Sequence, residues 1–92
     1  MKLNIKFTPQ FKKDLKKIRK QGRYDISKLD LIVSMLSDGA ELPIAVKDHA
    51  LKGNYSGYRE CHIEPDWLLI YKITNTELVL TLFRTGSHSE LF

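Results

Sequence analysis

The 92-residue chain has one cysteine, Cys61, with three prolines and five glycines. A lone thiol excludes an internal disulfide framework and suits a reducing compartment, so the cytoplasm is the expected location. No apolar run approaches the roughly 18 residues that span a bilayer, and the opening MKLNIKF lacks a signal-peptide apolar region, so no membrane partner is expected. There is no C-x-x-C pair, and Gly53-Asn-Tyr-Ser-Gly57 lacks the lysine and hydroxyl residue of a phosphate-binding loop. The histidines, His49, His62 and His88, stand 13 and 26 residues apart, which matches no compact metal-ligand spacing. No metal and no other cofactor is therefore expected. Repeats, linkers and low-complexity tracts are also missing, which leaves one domain over residues 1–92. A chain of this length buries about 60 to 65% of its unfolded surface, so any active site should be shallow.

What is present is positive charge placed unevenly. The net charge is +4, and most cations precede residue 30, Lys12, Lys13, Lys16, Lys17 and Lys20 among them. This asymmetry fits a polyanionic partner or, equally, a solvated helix face. Apolar content of 42% is that of an ordinary folded domain.

The pattern along the chain predicts an α+β fold. Residues 2–7 alternate polar and apolar, a strand whose Leu3, Ile5 and Phe7 should face a core. Thr8-Pro9 starts a helix with Phe11, Leu15 and Ile18 on one stripe, lysines on the other face, and Gly22 at its end. Ser27 with Asp30 resembles a capping box for a second helix carrying Leu29, Ile32, Val33 and Leu36 before Gly39. Residues 40–58 are irregular, a loop with one short extended segment at most. From Tyr58 the period becomes that of strands: Tyr58 to Ile63, Trp67 to Ile73 and Leu78 to Arg84, with connections too short for anything but an antiparallel meander. The order is β-α-α-β-β-β, one sheet packed on two helices.

The chemistry lies in the second half. His49, His62 and His88 accompany Asp66 and Arg84, and a meander brings distant strand ends together. Histidine is a general acid or base near neutrality, worth about 10² to 10⁴ in rate, and arginine holds phosphate through paired donors. Together they suit cleavage of RNA, whose 2′-hydroxyl supplies an internal nucleophile without a metal. Plainer roles stand beside each residue. His49 fits a turn cap as well as catalysis, His62 a cross-strand hydrogen bond, and Asp66, after Pro65, an ordinary turn position. Trp67 reads as core, and Arg84 as an ion-pair partner of an acid on a neighbouring strand or as an exposed phosphate contact. His88, in the polar tail Gly86-Ser-His-Ser-Glu90, has no packing partner to explain it, and Phe92 is placed to fill a groove or stack on a base.

Three ordered motifs resemble those of YafQ-like toxins of the RelE superfamily, from type II toxin–antitoxin systems. They are Lys47-Asp-His-Ala-Leu-Lys-Gly53, Gly57-Tyr-Arg-Glu-Cys-His-Ile-Glu-Pro-Asp-Trp-Leu-Leu-Ile-Tyr71 and Arg84-Thr-Gly-Ser-His-Ser-Glu-Leu-Phe92. Ala50 departs from the pattern, since many relatives have proline there. The resemblance implies a RelE-like fold and a ribosome-dependent, metal-independent endoribonuclease that cuts mRNA in the A site. It implies His49, His62, Asp66, Arg84 and His88 as catalytic, with His88 the acid at the 5′-oxygen, His49 or Asp66 the base, and His62 positioning the phosphate or sharing the proton. Phe92, Lys47 and Trp67 follow as substrate-contacting, and the helix-one lysines as contacts to ribosomal RNA. Implied partners are the 70S ribosome with its mRNA and a DinJ- or RelB-like antitoxin whose acidic segment wraps the toxin; operator DNA is bound only through that complex. The competing readings are a ParE-type gyrase inhibitor and a catalytically inert antitoxin-binding module.

Overall fold

The computed structural model describes residues 2–92. Its strands are β1 (Asn4–Phe7), β2 (His49–Ala50), β3 (Arg59–Glu64), β4 (Trp67–Thr74) and β5 (Val79–Gly86), and its helices α1 (Pro9–Gln21), α2 (Ile26–Ser37) and α3 (His88–Leu91). They form one sheet in the order β1-β5-β4-β3-β2. The meander β3-β4-β5 is antiparallel as predicted. β1, however, lies parallel to β5, so the sheet is mixed. The intervening helices supply the crossover that a parallel neighbour requires.

α1 begins as expected: the Thr8 hydroxyl accepts the Phe11 N–H at 3.0 Å, with Pro9 in the first turn. Gly22 ends it at φ 66°, a left-handed conformation that costs glycine little. α2 starts one residue before the predicted capping box. Asp25, not Ser27, is its cap, accepting the Ser27 N–H at 3.0 Å. Asp25 competes better because it precedes the first helical turn and offers a full carboxylate to free N–H groups.

Phe11 and Ile18 of α1 and Leu29, Ile32 and Leu36 of α2 pack on Cys61, Trp67, Leu69, Tyr71, Leu80 and Leu82 of the sheet. Each large side chain buried there contributes about 2 kcal/mol from removal of apolar surface. β1 departs from its predicted role. Leu3 does pack on this core, but Ile5 and Phe7 remain 38% and 49% exposed, because β1 is an edge strand that the helices only partly cover.

The other face of the sheet carries a smaller cluster, Leu68, Ile70 and Leu91, flanked by Leu51, Tyr55, Tyr58 and Phe83. Two irregularities shape this face. Between β4 and β5 the register slips so that Ile70 faces Arg84 and Tyr71 faces Leu82, leaving Phe83 extra. Between β3 and β4 it slips after His62. Such bulges re-aim side chains where they occur.

Candidate active site

On this second face the register places His49 of β2 opposite Glu60 of β3. His62 lies two residues along β3, on the same side by strand alternation. Glu60 is only 4% exposed. Its Oε1 stands 3.4 Å from His62 Nε2 and 3.7 Å from His49 Nε2, so one buried carboxylate faces both imidazoles. A buried carboxylate is costly without such partners. Glu60 is thus the central residue that the sequence reading passed over. The usable signal was its spacing: an acid two positions before His62 in a strand must share its face.

His88 reaches the group from the C-terminus, its ring 5.6 Å from that of His62. The tail that carries it is not irregular but forms α3. Ser87 and Glu90 make a reciprocal capping box there, and Leu91 is buried. A β-carbon at Gly86 would lie 3.3 Å from both Glu90 Oε1 and Leu91 Cδ2, which explains glycine at the sheet-to-helix junction. Lys17 of α1 pairs with Glu90 at 2.8 Å. That pairing, followed by the Ser87 N–H, holds the Glu90 carboxyl down at about 2. α1 therefore fastens the turn on which His88 sits.

Asp66, in the turn after Glu64, aims Oδ1 at His88, 3.3 Å from its backbone N–H and 3.4 Å from Nδ1. A carboxylate only accepts, so this contact favours the hydrogen on Nδ1 and leaves Nε2 as the ring atom available for chemistry. Tyr24 donates its hydroxyl to the Asp66 carbonyl at 3.1 Å and stacks on Trp67 with ring centres 4.6 Å apart. Phe92, 58% exposed, lies 6.4 Å from the His88 ring and 5.4 Å from the Tyr55 ring, between centres.

Two expected site residues are engaged elsewhere. Trp67 is fully buried, and its indole N–H donates to Thr85 Oγ1 at 2.9 Å, so it supports β4 and β5 and cannot touch a substrate. Arg84 pairs not with an acid on a neighbouring strand but with Asp14 of α1, through Nε at 3.1 Å and Nη2 at 3.0 Å. Asp14 raises the Arg84 pKa and also accepts the Thr85 N–H at 3.2 Å. The guanidinium is thus held against α1, with about a quarter of its side chain exposed. Lys47 is exposed, and its carbonyl meets His49 Nδ1 at 2.8 Å. Lys12, Lys13, Lys16, Lys17 and Lys20 all lie on the exposed face of α1, as predicted.

Glu60, His62 and His88 can each turn a ligand atom to within 4.8 Å of the others. Two imidazoles and a carboxylate form a donor set suited to zinc or copper. Cys61 stands apart from this chemistry. It is fully buried on the helix side, and burial first, then the nearby Asp48 and Glu60 charges, push its thiol up to about 12.

A cluster of imidazoles, each facing a carboxylate, on a small α+β scaffold with one lysine-rich helix is an arrangement suited to acid–base chemistry. Comparison with known proteins narrows this class. Residues 3–92 match the family described as "Bacterial toxin of type II toxin-antitoxin system, YafQ", and the chain belongs to that family. It is 41% identical over 90 residues to the mRNA interferase toxin YafQ of Escherichia coli K12, covering 97% of this chain and 95% of that protein. YafQ in the crystal structure of the E. coli DinJ–YafQ toxin–antitoxin complex superposes with a TM-score of 0.89 at 40% identity, covering 100% of this chain and 99% of that one. A metal-bound toxin from Helicobacter pylori gives a TM-score of 0.88 at 44% identity, covering 98% and 99%. The resemblance drawn from the three sequence motifs, and the fold it implied, are thereby upheld.

Proposed function

We propose that this chain is an mRNA interferase that cleaves RNA bound in the ribosomal A site. The observation that carries this reading is the pairing of His62 and His88, rings 5.6 Å apart, His62 facing the carboxylate of Glu60 that it shares with His49 and His88 that of Asp66. His49 Nε2 takes the proton of a ribose 2′-hydroxyl, and the oxygen attacks the adjacent phosphorus. His88 Nε2 gives a proton to the departing 5′-oxygen, leaving a cyclic 2′,3′-phosphate and a 5′-hydroxyl. The E. coli relative's name supports the substrate.

Asp66, one of the candidate bases, serves better as the partner that orients His88, because its carboxylate is turned to that ring. His62, backed by Glu60, holds the phosphate or shares the proton. Arg84, kept charged by Asp14, offsets negative charge on the phosphorane oxygens from the α1 side. Phe92 stacks on a base, and Lys47 contacts the backbone of the RNA. The nucleophile belongs to the RNA, so no step requires a metal.

The α1 lysines grip ribosomal RNA phosphates in a salt-dependent way. A DinJ-like antitoxin, the partner in the E. coli complex, neutralises the toxin by laying an acidic segment on the same basic surface. Operator DNA is met only through that complex, and the setting is cytoplasmic.

Primer extension on a defined mRNA in a translating extract tests the reading. Cuts at fixed codon positions should vanish with His88→Ala and when the A site is kept empty. Cutting that persists with translation blocked would refute ribosome dependence. A folded wild-type chain that never cuts would refute the nuclease reading in favour of a gyrase inhibitor or an inert antitoxin-binding module.

A second reading concerns metal, and it rests on the Glu60, His62 and His88 donor set and the metal-bound H. pylori relative. A zinc or copper ion held there supplies Lewis-acid character when bound. With their ring nitrogens so engaged, His62 and His88 would be withdrawn from acid–base chemistry, and cleavage is expected to stop.

A further inference from the structure

The segment that carries His49 is fastened from the opposite side of the sheet. β2 is only two residues long and pairs with β3 through His49↔Glu60 and Ala50↔Arg59, too short a ladder to hold a side chain to a fixed direction. Asp48 supplies the missing anchor. Its Oδ2 accepts from Arg59 Nη2 at 3.0 Å, while Oδ1 accepts from Arg59 Nε at 3.4 Å and from the Tyr71 hydroxyl. Arg59 and Tyr71 are themselves register partners on β3 and β4, and Tyr71 is 1% exposed. Burial, then the bond to Asp48, raises the Tyr71 pKa, so its hydroxyl stays a donor.

Successive side chains of a strand point to opposite faces. Pinning Asp48 on the Tyr71 side therefore sends His49 to the Glu60 side. Lys47 completes the device: its left-handed backbone, φ 52°, accompanies a carbonyl that meets His49 Nδ1 at 2.8 Å. A carbonyl can only accept, so Nδ1 must carry the hydrogen and Nε2 is left to receive a proton.

We propose that Asp48, Arg59 and Tyr71 form a positioning clamp for His49, fixing its ring direction and so keeping Nδ1 on the Lys47 carbonyl and Nε2 beside Glu60, where it can take up a proton. None of the three touches the reacting atoms. The inference rests on the reading of His49 as the base.

The test compares wild type, Tyr71→Phe, Arg59→Lys, His49→Ala and the double variant Tyr71→Phe/His49→Ala in single-turnover cleavage of ribosome-bound mRNA. Rates are normalised to the folded fraction at the assay temperature, and the His49 ring nitrogens are followed by ¹⁵N NMR. Misplacing a reacting group by about 1 Å costs on the order of 10²-fold, so Tyr71→Phe should slow kcat roughly 10- to 100-fold while KM stays within about 2-fold. Arg59→Lys keeps the charge but loses the paired fork, and should fall in the same direction. The single Nδ1–H signature of wild type should give way to mixed tautomers in both. The double variant should be no slower than His49→Ala, because residues acting through one group are not additive. Additive losses, or losses that disappear on normalisation, would show a purely structural network and overturn the clamp. A His49→Ala chain that cleaves as fast as wild type would instead remove the base assignment, and the clamp with it.

Discussion

Glu90→Gln is the perturbation whose consequence can be worked furthest. Glu90 accepts the Ser87 N–H at 2.9 Å and the Lys17 ammonium at 2.8 Å, and these partners depress its carboxyl from 4.5 to about 2. Because the folded-state value lies below the unfolded one, the stabilisation is complete above about pH 4.5 and disappears as pH falls toward about 2. A shift of this size would correspond to about 3 kcal/mol if unscreened. The Lys17 side chain, however, is 59% exposed; for a partner so open to water about 1 kcal/mol is the realistic contribution. Urea unfolding of wild type and Glu90→Gln at pH values from 7 to 2 measures the difference. The wild-type advantage should be about 1 kcal/mol at pH 7 and all but vanish near pH 2, with most of the loss falling between those carboxyl values. Since α3 begins at His88 and is capped by Phe92, the variant should cleave RNA more slowly as well. An advantage that is constant across this window would refute the argument, because it would place the stabilisation in packing rather than in the ionised carboxylate.

Three further outcomes follow from the same structure. Trp67→Phe removes a buried donor from Thr85 Oγ1 and should cost about 1 to 3 kcal/mol of unfolding free energy by denaturant titration, with codon choice unaltered. Cys61 should resist alkylation at pH 8 in the native state and react only on unfolding, since its thiol is buried and pushed up to about 12; rapid native labelling would show that β3 opens. Micromolar zinc should inhibit cleavage and a chelator restore it, while the chelator alone leaves the rate unchanged. Isothermal titration with Glu60→Gln, which replaces the carboxylate of the trio by a neutral, weaker amide oxygen, should show weakened zinc binding.

The elements were legible where local physics decides them. Thr8-Pro9 and Gly22 bound α1 because a cap, a restricted φ and a permitted left-handed turn act within a few residues. The meander followed from short connections and β-rich composition. The site was legible mainly through its motifs: His49, His62 and His88 could be named, but not the carboxylate between them. Glu60 escaped because an isolated acid in a strand looks like a solvent-facing residue, and only the pairing of β2 with β3 buries it against two rings.

Sequence alone determined the helix boundaries of α1, the basic face it presents, the three-strand meander and the identity of the imidazoles. Tertiary structure alone decided that β1 lies parallel at the far edge with Ile5 and Phe7 uncovered, and that Trp67 is sealed inside. It also decided that Arg84 answers to Asp14, seventy positions away. The physical reason is range. Capping, turn formation and side-chain alternation act between near neighbours in the chain, whereas burial and ion pairing depend on which distant segments the packed sheet brings within a few ångströms.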